Sequence, residues 1–233
     1  MNAPTIFDLL DRLAFLRGTP SVIILLAAIF VAVAAWDMRV AVLGLLVHYL
    51  FAGLLFVDVL DPRLAVVYTL AGLFVSAIMF VTAWQVNWGR PPAGLTAAEA
   101  ARLGLGQSRA VGRLTVTNQA LIRLVLAATV LGVLWLWPGA SAFLQAVIPG
   151  ELAYLTMAIL GLIGVGLVGL TSSAEPMPAG IGLLIFLTGF ALYYGFLDQS
   201  LAMTVALVSV QLLVALAVGY LAQARYLPAD VLD

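Results

Sequence analysis

The chain has 233 residues, of which 64% are hydrophobic and 9% charged, and a formal net charge of −1. A soluble domain carries about 25% charged residues, so an ordinary soluble globule is excluded, and the few basic residues offer no footprint for nucleic acid. All basic residues are Arg, Cys is absent and there is a single His, which excludes disulfides, thiolate metal sites, Cys-attached haem and a multi-histidine metal centre within the chain.

Residues 1–19 mix apolar side chains with Asp8, Asp11, Arg12 and Arg17. They lack the positive start and small-residue cleavage site of a signal peptide. Ile6, Leu9, Leu10, Leu13 and Leu16 mark one face of a helix that either lies on the membrane surface or extends the first span.

Seven apolar runs follow, each near the roughly 20 residues needed to cross a bilayer as a helix. They are Pro20 to Trp36, Val40 to Val57, Leu64 to Val86, Leu121 to Trp137, Leu152 to Leu170, Ala179 to Leu197 and Leu201 to Leu221. Backbone groups in lipid need partners within their own segment, and these solid runs lack the alternation of a barrel strand. The expected fold is all-α, a polytopic transmembrane bundle of about seven helices. Arg123 stands near one end of the fourth span, where it can snorkel to the headgroups. Residues 87–120 form the one long connector, and Thr96 with Glu99 predicts a capping box opening a short surface helix there. Arg102, Arg109 and Arg113 in that connector either anchor on anionic headgroups or dock a partner subunit. The segment 226–233 is a short C-terminal tail.

Seven spans place Arg39, Arg90, Arg102, Arg109, Arg113 and Arg225 on one side, against Arg12, Arg17 and Arg63 on the other. The positive-inside rule then puts the N-terminus outside and the C-terminus in the cytoplasm, in a bacterial plasma membrane. Trp36, Trp84, Trp88, Trp135, Trp137, Tyr194 and Tyr220 fall near span ends, as interfacial aromatics do.

The polar residues at depth are few. His48 lies near the middle of the second span, where an ionisable group is a functional hypothesis by default. Three readings stand: a neutral ring bonded to a neighbouring helix, a proton relay, or an axial ligand to a porphyrin or chlorin. Thr188, Ser209 and Gln211 in the last two spans are candidate polar contacts between helices, as is His48 itself. Gly161, Gly164, Gly166 and Gly169 open the fifth span to close backbone approach. Asp58, Asp61, Glu151, Glu175 and Asp198 fall at predicted ends or turns with access to water. No phosphate loop, nucleophilic triad or dinucleotide fingerprint is present. These residues supply no catalytic or metal site, and no cofactor is assigned; a quinone contact is left open.

The span spacing, the long loop after the third span, an end similar to the smallest antiporter-associated subunit of complex I, and the segment GIGLLIFLTGFALYYGFLDQSLAMTVALVSVQLLVAL resemble the hydrogenase-4 component E family over residues 20–86 and 176–225. That resemblance implies a non-catalytic membrane subunit, partnered by other membrane subunits and the lipid bilayer, in a complex coupling electron transfer to ion movement. The family's acidic residue in the span matching 179–197 and its Lys in the third span are absent here; the third span offers Tyr68 and Ser76 instead. The implied role is therefore scaffold or assembly. Two rival expectations are a pigment- or haem-associated accessory subunit with His48 as ligand, and an independent small-molecule transporter.

Overall fold

The computed structural model describes residues 14–89, 108–111, 114–136, 139, 142, 144 and 146–226. Among these residues seven α-helices make the bundle: α1 (Thr19–Ala34), α2 (Met38–Phe56), α3 (Pro62–Gln85), α4 (Asn118–Leu136), α5 (Tyr154–Thr171), α6 (Pro176–Tyr194) and α7 (Leu201–Tyr226). The protein is an all-α, multi-pass membrane bundle. Five of the helices, α2, α3, α5, α6 and α7, are long and apolar enough to cross a membrane, while α1 and the apolar stretch of α4 are shorter. At about 1.5 Å per residue a helix as short as α1 reaches only part of a roughly 30 Å hydrocarbon layer.

The helix starts follow from local chemistry. Asp37 and Asp61 each accept the backbone N–H two residues on, Arg39 and Arg63, at 2.8 Å. Pro62 and Pro176 open α3 and α6, where a missing N–H costs nothing. Asp198 holds the Ser200 N–H at 2.8 Å, and the Ser200 hydroxyl in turn accepts from Met203 N–H at the start of α7. Gly18 sits at φ +78, a left-handed conformation that suits glycine. It separates a single 3-10 turn, Ala14–Leu16, from α1, so residues 14–18 do not extend the first helix. Residues 1–13 lie outside the described residues, as do the tail from 227 and the predicted surface helix at Thr96 to Glu99.

The connector yields something that its sequence did not announce. Two short strands, β1 (Ser108–Val111) and β2 (Leu114–Thr117), pair antiparallel with Arg109 opposite Val116, directly before α4. Arg102 and Arg113, two of the expected docking residues, fall outside the described residues, and Arg109 is placed only by its backbone in β1.

Packing is tightest between α5 and α6, where glycine meets backbone. A Cβ added at Gly182 would lie 2.3 Å from the Leu170 nitrogen, and one at Gly166 would lie 2.5 Å from the Phe186 nitrogen. The α5 glycines also serve two other neighbours: Gly161 receives Leu26 of α1 and Gly164 receives Val130 of α4. Their close approaches are thus within the chain. Helices α1, α2, α5 and α6 pack together, α4 closes one flank against α1 and α5, and α3 with α7 closes the other against α2 and α6.

Contacts between helix ends show that successive helices run in alternating directions. On one side, Asp58 pairs with Arg17 and accepts from Tyr154 at 2.8 Å. On the other, Gln223 donates to Gln85, and Arg225 reaches the Ala174 carbonyl at 3.1 Å. Asp58 was expected to have ready access to water; its side chain is only 8% exposed, because Arg17 and Tyr154 enclose it. Arg123 is likewise buried, at 8% exposure, within electrostatic reach of Glu175 at the start of α6.

Candidate functional site

The most polar part of the interior lies where α2, α3, α6 and α7 meet. Gln211 of α7 is 2% exposed. Its Oε1 accepts the Tyr49 hydroxyl of α2 at 3.1 Å, and its Nε2 donates to the Tyr68 hydroxyl of α3. Thr188 of α6 lies beside the Tyr49 hydroxyl and donates its own to the Leu184 carbonyl at 3.0 Å. One amide and two phenols therefore tie three helices, with a fourth alongside. In lipid an unsatisfied amide is costly, so such a tie favours one arrangement of the helices over others.

Two small residues make room for it. Gly72, one turn beyond Tyr68, faces the Tyr49 ring so closely that a Cβ there would stand 2.3 Å from Tyr49 Cδ1. Gly53 lets Thr69 approach in the same way. The Tyr68 ring is packed by Phe56, with centroids 4.0 Å apart. Ser76, further along α3, returns its hydroxyl to the Gly72 carbonyl at 2.9 Å and takes no part in the tie.

His48 sits next to Tyr49, their rings 4.6 Å apart, and is fully buried. Among the described residues neither Nδ1 nor Nε2 has a hydrogen-bond partner. The Leu45 backbone, one turn back on α2, acts on the ring electrostatically without hydrogen-bond geometry. Among the described residues no neighbouring helix supplies the partner that the sequence suggested. The ring is enclosed by protein on all sides, so an axial ligand would need space opened beside it.

Ser209 is a correction. It was expected between helices with Gln211, but its side chain is exposed on the outer face of α7. Residues two apart on a helix point in nearly opposite directions, so Gln211 facing inward forces Ser209 outward. Tyr49 was missed altogether, and Tyr68 was noted only as a polar residue of its span. The available signal was position: both tyrosines lie inside their helices, away from the interfacial belt where tyrosine needs no special account.

Of the described acidic residues, Asp37, Asp58, Asp61, Glu175 and Asp198 stand in caps, turns or loops, and Glu151 in a single 3-10 turn, Gly150–Leu152. What the arrangement can do chemically is therefore modest. The tie is neutral, its hydrogen bonds are internal, and it holds helices in register. Among the described residues no group of His, Asp and Glu is placed to hold a metal ion. No family model, curated protein or solved structure matches the chain.

Proposed function

We propose that this chain is a non-catalytic integral membrane subunit that helps hold together a multi-subunit bioenergetic complex in which other chains couple electron transfer to ion movement. The observation that carries the reading is the use made of buried polar groups. Tyr49, Tyr68 and Gln211 bond to one another across three helices, and Ser76 and Thr188 bond to carbonyls of their own helices. Groups committed in this way stiffen a bundle. A path for ions instead needs titratable or coordinating groups free to change partners. The resemblance to hydrogenase-4 component E supports the same role. So does α7, a long apolar helix with only 28% of its spanning window buried within the chain, which leaves a broad face for lipid or a neighbouring subunit.

On this reading the protein resides in a bacterial plasma membrane with its N-terminus outside, an orientation supported by the Arg asymmetry between the two sides. The decisive experiment is mild-detergent purification of the tagged full chain from its native membrane, with identification of co-purifying chains. Recovery with membrane subunits that carry Lys or carboxylates inside their spans, together with a redox-active partner, is the expected result. Recovery as a solitary chain that moves protons or sodium in proteoliposomes would overturn the reading. A second reading, a pigment- or haem-bearing accessory subunit, is favoured by one observation, the unpartnered ring of His48. A visible absorption band that disappears in both His48→Gln and His48→Leu would establish it over the first.

A further inference from the structure

The face between α2 and α3 is closed at one end and open at the other. At the closed end small residues meet: Gly53 admits Thr69, and Gly72 admits Tyr49. Toward the other end Leu43 and Leu46 of α2 oppose Phe80 and Trp84 of α3, and the two helices enclose an open apolar groove of about 880 Å³. Leu43, Phe80 and Trp84 are more than half exposed there. A groove of this shape on a membrane-facing surface takes a hydrocarbon chain.

Its mouth is different in character. Arg39 and Trp88 line it there. The Arg39 guanidinium carbon stands 5.0 Å from the centre of the Trp88 ring, and Trp88 meets Phe80 edge-on at 5.5 Å. Trp88 reaches this place through an unusual backbone: Asn87 and Trp88 are consecutive left-handed residues, at φ 48 and φ 59. Side-chain-bearing residues rarely adopt that conformation. Here it turns the chain at the end of α3 and lays the indole over the groove. Arg39 is exposed and forms no salt bridge among the described residues. Asp37 directs a carboxylate oxygen to the Arg39 backbone N–H instead. A cation held on an aromatic face at the polar end of an apolar slot is complementary to one occupant in particular.

We propose that this groove is a binding site for an anionic phospholipid, with an acyl chain between α2 and α3 and the headgroup phosphate on Arg39 beside Trp88. Guanidinium and phosphate match in charge and hydrogen-bond geometry. Basic pockets between membrane helices are suited to acidic headgroups, and one basic residue near the surface changes such affinity by about fivefold.

The test uses the full chain in vesicles, with every Trp except Trp88 replaced by Phe. The probes are phosphatidylglycerol and phosphatidylcholine bearing brominated acyl chains, which quench indole fluorescence on contact. Phosphatidylglycerol should half-quench Trp88 at about one-fifth the mole fraction that phosphatidylcholine needs, as expected for one basic contact. Arg39→Gln should bring the two lipids together while leaving quenching by phosphatidylcholine unchanged, which also shows the groove intact. Equal quenching by both lipids in the parent chain would overturn the proposal in favour of ordinary boundary lipid. No quenching by either would also overturn it, by showing that lipid does not enter the groove. Native mass spectrometry of the unmodified chain gives an independent reading: phosphatidylglycerol should stay bound through detergent exchange, and Arg39→Gln should release it. Equal retention by the two chains would count against Arg39 as the headgroup contact.

Discussion

Gln211 and His48 are both sealed inside the same bundle and both adjoin Tyr49, yet they are opposites. Gln211 receives the Tyr49 hydroxyl and gives its own amide hydrogen to Tyr68. His48 stacks at an angle on the Tyr49 ring, and among the described residues neither of its nitrogens has a hydrogen-bond partner. A polar residue at bilayer depth is thus not one kind of evidence. Gln211 gains a structure that the helices cannot make without it, whereas His48 carries the cost of lost hydration without a return.

The sharpest way to break the comparison is to take Tyr49 out of place. Gly72→Ala would set a methyl group 2.3 Å from Tyr49 Cδ1, and the ring cannot move without drawing its hydroxyl from Gln211. Overpacking of this kind costs about 3 kcal/mol. Thermal unfolding in detergent should show a larger loss of stability than substitution of Gln211, Tyr49 or His48. A melting temperature equal to that of the parent chain would mean that α2 and α3 are not held at this distance.

Most of the fold was legible because lipid imposes a simple rule: each crossing must be a continuous apolar helix. That rule located all seven helices to within a few residues. It did not separate the five of full spanning length from the shorter α1, since hydropathy reports what a segment tolerates and not how far its helix runs. The site was legible only in part. Gln211 stands out as an amide among apolar residues, but its partners lie 162 and 143 positions away in the chain, and tyrosine in a span reads first as an interfacial aromatic. The opposite facing of Ser209 and Gln211 follows from helix geometry and was available in the sequence. Nothing comparable marked the β1–β2 ribbon. Its eight paired residues are too few to show a period.

A smaller effect comes from emptying the tie. Gln211→Leu leaves two buried hydroxyls without the amide, and interhelical hydrogen bonds are worth roughly 0.6–1.7 kcal/mol each, so a loss of about 2 kcal/mol is expected. Tyr49→Phe alone should cost about half of that. Combined with Gln211→Leu it should add little, since its partner is already gone. Unfolding of the two single variants and the double variant in the same detergent measures the coupling. Fully additive losses would show that Tyr49 and Gln211 contribute separately, and the tie would have no standing as a unit.

The smallest expected change is the most informative about His48. The sequence alone favours a ring bonded across the bundle, for which His48→Leu would cost roughly 1 kcal/mol. The structure reverses the sign. With Nδ1 and Nε2 buried and unpartnered, leucine fills similar space and removes two polar atoms that gain nothing, so stability should be unchanged or rise by up to about 1 kcal/mol. His48→Gln keeps polar atoms in the same surroundings and should show no such gain. Melting of both variants in detergent, beside their yield within the native complex, separates the possibilities. If leucine stabilises and glutamine does not, the ring is unpartnered in the working protein as well. If leucine destabilises by 1 kcal/mol or more while the isolated fold is intact, His48 holds a partner that the chain does not itself provide, and the purified complex is then where that partner should be sought.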